Sequence, residues 1–167
     1  EGMTLASARS GSGVRRSLPA EIPVVVHILY RVEADDLSDE QVASQIAVLN
    51  EDYAAANEDL KNVPPVFTDR VGNPGLRFAL ATVDPAGAAT SGITRRKITT
   101  TAFGVDDRMK AESTGGTDPW DATRYLNIWV CRLSGGVLGY AQFPGGPAET
   151  DGVVILNTST PGGGAAP

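Results

Sequence analysis

The sequence has 167 residues, of which 41% are hydrophobic and 20% charged, so it is long enough for one domain with a sizeable core. Its 14 Lys and Arg against 20 Asp and Glu give a net charge of -6, which argues against a protein that binds nucleic-acid backbones through a basic stripe. The longest apolar run, residues 24–30, is far too short to cross a bilayer, so we expect no membrane span.

The chain contains a single histidine, His27, and a single cysteine, Cys131. A disulfide within the chain is therefore impossible. A zinc site made of nitrogen and sulfur ligands is nearly excluded, since it needs three or four of them. The residue types that usually carry metal or nucleophilic chemistry are mostly missing from this sequence.

The first two segments of the chain differ sharply in composition. Residues 1–21 are rich in Ser, Gly, Ala and Arg without apolar periodicity, and we expect a flexible leader or propeptide remnant. The paired arginines at 15 and 16 are read as solvated charges rather than as a processing site. Residues 22–32 are β-branched and almost continuously apolar, which predicts a central strand covered on both faces.

Residues 37–57 carry the clearest helical pattern. Ser38 and Gln41 have the spacing of a capping box, in which each side chain bonds the other residue's backbone N–H. Apolar side chains then recur on one stripe of the helix, which indicates the face turned to the core. That stripe consists of Val42, Ile46, Leu49 and Tyr53.

The rest of the chain predicts short strands separated by turns. The segment 138–143 lies between glycine- and proline-rich turns, which is typical of an edge strand. Weak helical turns are expected at 106–112 and 118–121, the second with Asp118 as its N-cap. The other predicted strands are 76–83, 125–133 and 152–157, and 93–98 is a candidate for a short exposed strand.

This order of elements predicts an α/β fold, a twisted sheet with one main helix packed across it. With only one long helix available, one face of the sheet should be poorly covered, although strands such as 152–157 need cover on both faces. We therefore expect a further helix, supplied by chain beyond Pro167 or by a partner.

Six consecutive blocks of the sequence resemble a known family. In chain order they resemble the front half of the catalytic domain of pappalysin-type, ulilysin-like zinc metallopeptidases of the metzincin clan, over about residues 22–160. The blocks are IPVVVHILY, SDEQVASQIAVLNEDY, LRFALATVDPAG, SGITRR, STGGTDPWDATRYLNIWVC and GGVLGYAQFPGGPAETDGVVI.

The resemblance implies a metzincin-like N-terminal subdomain with a mostly parallel five-stranded sheet, an antiparallel edge strand and one long backing helix. It also implies a secreted zinc metalloendopeptidase that hydrolyses peptide bonds. The HExxHxxGxxH motif, whose histidines bind zinc and whose Glu is the general base, is not in this sequence.

We therefore interpret residues 22–160 as the N-terminal part of the catalytic domain, followed by a Gly-rich tail, 161–167, that leads to the absent zinc-binding helix. The catalytic and metal-binding residues would come from the missing C-terminal half, and the chain alone should be inactive. The alternative is a non-catalytic interaction module derived from such a domain.

The resemblance also indicates where substrate would bind. In this family the antiparallel edge strand forms the upper rim of the cleft, and a peptide substrate adds to it as another strand. An ordinary hairpin edge is the alternative interpretation. The candidate substrate-binding residues are Leu138, Gly139, Tyr140, Ala141 and Gln142.

The remaining candidates receive structural interpretations. His27 lies between apolar neighbours and is read as a structural histidine. Cys131 is a free buried thiol or a disulfide partner of a cysteine in the missing half. A calcium ion is conceivable at four acidic residues, although the spacing of a calcium loop is absent. These acidic residues are Asp106, Asp107, Asp118 and Asp121, and the aromatic residues Trp120, Tyr125 and Trp129 are expected in the core.

Overall fold

The computed structural model describes residues 20–160, so the predicted tail and nearly all of the predicted leader lie outside the described residues. Residues 20 and 21, expected at the end of the leader, belong to the first strand. The elements are β1 (Ala20–Tyr30), α1 (Asp39–Tyr53), β2 (Leu76–Leu80), β3 (Ile93–Lys97), β4 (Leu126–Cys131), β5 (Gly139–Ala141) and β6 (Val153–Leu156). No helix in this part of the chain has the length and apolar character needed to span a membrane.

The strands form one sheet in the order β2-β1-β4-β6-β5, with β3 also paired to β1. Every pairing is parallel except that of β5 with β6, which is antiparallel. The mostly parallel sheet with an antiparallel edge strand and one main helix is thus confirmed.

The sheet has six strands rather than the five predicted. The reason lies in the length of β1, which has 11 residues. Its first half, 20–24, pairs with β2, and its second half, 26–30, pairs with β3. Because β4 occupies the opposite edge of β1 over residues 24–28, β2 and β3 must follow each other along the same edge. Six strands therefore fill five positions across the sheet.

Helix α1 begins where the capping box predicts. The Ser38 hydroxyl accepts from the Gln41 backbone N–H at 3.2 Å, and the Gln41 side chain accepts from the Ser38 N–H at 3.0 Å. The helix ends at Tyr53, earlier than the predicted residue 57, and Ala55 beyond it has a left-handed φ of 52°. Local side-chain patterns thus predicted the start of the helix more accurately than its end.

The two faces of the sheet are covered by different segments. On one face, α1 places Val42 and Ile46 against an apolar cluster from β1, β2 and β4 that includes Val26 and Ile128. We call this the helix face. On the opposite face, residues 98–125, which connect β3 to β4, supply Phe103 and Met109. We call these residues the covering segment and this face the loop face.

Among the described residues, the expectation of poor cover is therefore wrong for the face opposite the helix, whereas Val153 and Ile155 of β6, on the helix face, are only half-buried. Trp129, Cys131 and Val154 on the loop face have exposed fractions of 0%, and Phe103 and Met109 of the covering segment are buried to the same degree. The covering segment has little regular structure, only turns of 3-10 helix at 108–110 and 112–114. Because the covering segment has no hydrophobic periodicity, its covering role was not predictable from the sequence.

The helix predicted at 118–121 is also absent. The Asp118 carboxylate accepts a hydrogen bond from the Glu112 backbone N–H at 2.7 Å, so it closes a loop instead of capping a helix. Trp120 packs its ring against Tyr125 and lies beside the loop face, in agreement with its predicted packing role.

Candidate functional site

The edge strand β5 has one neighbour, β6, and its other edge is open among the described residues. The Leu138 carbonyl accepts from the Leu156 N–H at 2.8 Å, and the Gln142 N–H donates to the Gly152 carbonyl at 3.4 Å. Bonding directions alternate along an antiparallel strand. The backbone N–H and C=O groups of the odd-numbered residues of β5 therefore face the open edge. These residues are Gly139 and Ala141.

Three of the five predicted site residues are exposed to solvent. Leu138 has an exposed fraction of 59%, and Gly139 and Ala141 are also exposed. A Cβ atom on Gly139 would lie 2.7 Å from the Val154 carbonyl oxygen, so glycine permits the close approach of β5 to β6. The open edge is therefore a stretch of accessible main chain with small side chains.

The other two predicted residues point their side chains into the protein. The Tyr140 hydroxyl donates to Asp107 Oδ1 at 3.0 Å. The Gln142 amide donates to the Pro147 carbonyl at 3.0 Å and accepts from the Thr150 hydroxyl. Tyr140 and Gln142 thus anchor β5 to the rest of the molecule, while their alternating neighbours face outward.

Lys110 is a residue of this region that the sequence did not single out. Its exposed fraction is 2%, and its ammonium donates to Asp107 Oδ1 at 2.8 Å and to the Thr150 carbonyl at 2.7 Å. Burial, followed by the hydrogen bond to Asp107, raises the pKa of the Tyr140 hydroxyl above its usual value, so Tyr140 remains a donor at neutral pH. A lysine in a polar, aperiodic segment carries no sequence signal of burial.

His27 is fully buried, and both of its ring nitrogens have protein partners. Nδ1 lies 2.8 Å from the Thr94 hydroxyl, and Nε2 lies 3.0 Å from Asn127 Oδ1. Asn127 is itself oriented by Trp120, since its amide donates to the Trp120 carbonyl and its oxygen accepts from the Trp120 N–H. Burial lowers the pKa of His27, which is therefore neutral near pH 7. This geometry agrees with a structural histidine.

The described residues do not fit a metal centre. Between residues 20 and 160 there is no group of three or more His, Cys, Asp and Glu side chains that would hold a metal ion. The acidic residues considered for calcium bind protein groups: Asp106 pairs with Arg108 at 2.7 Å, and Asp121 accepts from the Thr123 N–H at 2.9 Å. No catalytic step through a metal is assigned to these residues.

Cys131 is free and buried on the loop face. Burial raises the pKa of its thiol to about 12, so it is protonated at neutral pH. Because the thiolate is the reactive form, Cys131 is an inert part of the packing rather than a nucleophile.

No protein-family model matches the chain. Among curated proteins, it is 28% identical over 167 residues to extracellular metalloprotease 1 of Coccidioides posadasii (strain C735), covering 95% of this chain and 49% of that protein. It is 34% identical over 147 residues to an extracellular metalloprotease of Arthroderma gypseum (strain ATCC MYA-4604 / CBS 118893), covering 83% of this chain and 39% of that protein. The chain spans half or less of the length of these relatives.

Solved structures of mirolysin are similar in both fold and sequence. Mirolysin in complex with compound 9 is 46% identical with a TM-score of 0.83, covering 86% of this chain and 55% of that one. A Tannerella forsythia promirolysin mutant is 45% identical with a TM-score of 0.84, covering 87% of this chain and 48% of that one. Mature T. forsythia mirolysin in complex with a cleaved peptide is 45% identical with a TM-score of 0.83, covering 87% and 55%.

These likenesses point first to a class of protein: over half or less of their length, the chain is similar to extracellular metalloproteases. Its sheet and helix have, more particularly, the metzincin-like fold of mirolysin. The sequence resemblance to metzincin peptidases is supported at this level.

Proposed function

We propose that this chain is the N-terminal part of the catalytic domain of a secreted, zinc-dependent metalloendopeptidase. The observation that carries the proposal is the likeness to mirolysin, at 46% identity and a TM-score of 0.83 over 86% of the chain. The open edge of β5 fits this proposal, because the free backbone groups of an edge strand can bind an extended peptide.

Zinc is the proposed cofactor of the complete enzyme. A bound zinc ion polarises the scissile carbonyl and supplies a water nucleophile at neutral pH. Residues 20–160 offer it no ligand set. The ligands are therefore proposed to come from sequence outside these 167 residues, while this chain contributes the sheet and the upper rim of the cleft. The described carboxylates give no support to a calcium site.

The proposed substrate is a peptide in extended conformation that adds to β5 as a further strand. The outward N–H and C=O groups of Gly139 and Ala141 would bind its main chain, and the exposed Leu138 would contact a side chain. Since main-chain bonds carry no side-chain information, this edge would tolerate many sequences. Peptide sequence would then be distinguished elsewhere in the cleft.

One set of experiments tests both the zinc requirement and the proposal that the zinc ligands lie outside these 167 residues. Protein expressed from the complete coding sequence should hydrolyse casein, lose that activity with the chelator 1,10-phenanthroline, and regain it on addition of zinc. The 167-residue chain alone should hydrolyse nothing and bind no zinc tightly in isothermal titration calorimetry. Stoichiometric zinc binding by this chain, or casein hydrolysis that resists chelation, would contradict the proposal. A complete protein that captures peptides without cleaving them would favour an interaction module instead.

The binding edge is tested by a substitution that removes one outward N–H. In the complete protein, Ala141→Pro should lower kcat/KM for an extended peptide by about tenfold, because one hydrogen bond to substrate is lost. The bonds to β6 should survive, since an edge strand accepts proline where the N–H faces outward. Ala141→Ser retains the N–H and is the matched control, with activity close to wild type. Equal losses in both variants would argue against main-chain recognition at this edge.

A further inference from the structure

Lys110 lies in an environment that ordinarily excludes a positive charge. Its exposed fraction is 2%. Its ammonium lies 5.5 Å from the centroid of the Trp129 ring and 5.2 Å from that of Tyr140. An ammonium taken out of water is costly unless it is paired and hydrogen-bonded, and apolar residues often replace such groups without loss of stability. The burial of this charge therefore suggests a role beyond packing.

The ammonium has two hydrogen-bond partners, Asp107 and Thr150, and through Asp107 it is also connected to Tyr140. Asp107 lies in the covering segment, three residues before Lys110, and its Oδ1 accepts from Lys110 Nζ at 2.8 Å. The same oxygen accepts from the Tyr140 hydroxyl of β5 at 3.0 Å. Thr150, in the connection between β5 and β6, accepts from Lys110 Nζ through its carbonyl at 2.7 Å. One cation and one carboxylate thus join the covering segment to the β5–β6 hairpin.

A second set of bonds reaches the same hairpin from β5. The Thr150 hydroxyl donates to Gln142 Oε1, and the Gln142 amide donates to the Pro147 carbonyl at 3.0 Å. Thr150 is therefore held on both sides, by Lys110 at its carbonyl and by Gln142 at its hydroxyl. The two residues of β5 that the network holds, Tyr140 and Gln142, alternate with the residues whose main chain faces outward.

The need for such an anchor follows from the size of β5. It has 3 residues and a single neighbouring strand, so few ladder bonds hold it in place. Short edge strands are readily displaced unless side chains fix them. A peptide that adds to this edge requires Gly139 and Ala141 at a set position, because its hydrogen bonds depend on that geometry.

We infer that Lys110, acting through Asp107, Tyr140 and Thr150, is a positioning residue that holds β5 as a preformed docking edge for extended peptides. This inference rests on the proposed function. Lys110 and Asp107 touch no substrate in this role. Their removal weakens the binding of any peptide long enough to lie along β5, and leaves a peptide that does not reach β5 unaffected.

The test uses the complete protein and two peptides that share a scissile bond, one extending along β5 and one truncated before it. Lys110→Met keeps the length of the side chain and removes its charge. We expect it to lower kcat/KM for the long peptide by about tenfold, chiefly through KM, with the short peptide within about twofold of wild type. Lys61→Met, at a lysine whose side chain is 70% exposed, is the matched control and should change neither.

Tyr140→Phe keeps the ring in the loop-face cluster and loses only the hydroxyl. It should show the same selectivity for length with a smaller effect, about threefold, and it decides the question if Lys110→Met does not fold. Tyr53→Phe in α1 is its control. A fall of equal size for both peptides, or none for either in folded variants, would show a purely structural role and overturn the inference. If the wild-type protein cleaves neither peptide, the proposed function itself fails and the inference fails with it.

Discussion

The two faces of the sheet are covered by segments of different kinds, and the strand residues of the loop face are the more completely buried. On the helix face, α1 satisfies its own backbone and presents an apolar stripe, so the cluster beneath it is apolar. On the loop face, the covering segment lacks a regular ladder of backbone bonds. Some of its backbone groups are satisfied by strand side chains: Asn127 bonds both the N–H and the C=O of Trp120, and the Trp129 indole donates to the Thr117 carbonyl at 2.9 Å.

This difference explains where the buried polar residues of the sheet lie. His27 and Asn127, with exposed fractions of 0% and 1%, alternate with apolar neighbours that face α1. Buried backbone groups need partners, and irregular chain cannot supply all of them from within. Asn127 supplies such partners to the covering segment, and His27 bonds Asn127 on the same face.

The largest expected effect comes from removing the amide that holds the covering segment. Asn127→Ala leaves the Trp120 N–H, the Trp120 carbonyl and His27 Nε2 without their present partner. We expect the free energy of unfolding, measured with urea, to fall by about 3–4 kcal/mol.

Asn50 in α1 is the matched control for this substitution. It makes the same pair of bonds, to the N–H and C=O of Phe78 at 2.8 and 2.9 Å, but it is only half-buried. Water can hydrogen-bond the Phe78 backbone when the amide is removed, so Asn50→Ala should lower the free energy of unfolding by about 1–2 kcal/mol. Equal losses at the two sites would show that the loop face does not depend on its buried amide.

A pH dependence of intermediate size should arise from the loop face alone. Burial lowers the pKa of His27 below its ordinary value of 6.5. Below pH 6.5 the imidazole of the unfolded chain therefore binds a proton more readily than that of the folded chain. Stability is then complete above pH 6.5 and falls as the pH drops below it, by at most about 1.4 kcal/mol per pH unit. The measurement is the free energy of unfolding between pH 7 and 5.

The variant His27→Gln separates this effect from the carboxylates. The sequence has one histidine. Burial raises the pKa of the Asp35 carboxylate, but its hydrogen bonds, above all the one from Arg132, bring the pKa below 3.8, so Asp35 titrates outside this range. The variant should therefore lose the slope between pH 6.5 and 5. An unchanged slope would exclude His27 as its source.

The smallest expected effect lies at the start of the helix that covers the other face. Ser38→Ala removes the side chain that accepts from the Gln41 N–H and should lower the free energy of unfolding by about 1 kcal/mol. Ser38→Gly should cost only a few tenths of that amount, since glycine is itself tolerated as an N-cap. A thermal unfolding series at pH 7 distinguishes the two, and a larger loss for glycine than for alanine would contradict the capping role.

Features set by local patterns were predictable from the sequence. The Ser38–Gln41 capping box and the apolar stripe of α1 depend on residues within a few positions of one another. The open edge strand followed from the glycine- and proline-rich turns around 138–143. Asp118 shows the limit of such patterns. The Asp-Pro pair at 118–119 is typical of a helix start, but in the structure the Asp118 carboxylate accepts from the Glu112 N–H within a loop.

Features that depend on distant residues were not predictable. Lys110 is buried because Trp129, Tyr140 and Thr150 surround it, and no neighbour in sequence indicates this. The division of 138–142 into outward and anchored residues depends on the register of β5 against β6. A shift of one position would exchange the two sets.

The sequence by itself determined the strands, the capped helix, the open edge and the scarcity of metal ligands, because each depends on composition or on spacings of a few residues. The tertiary structure alone decided that residues 98–125 cover the loop face, that β2 and β3 share one edge of β1, and that Lys110 anchors β5. These features arise from contacts between segments far apart in the chain, where burial and hydrogen-bond satisfaction outweigh local preference.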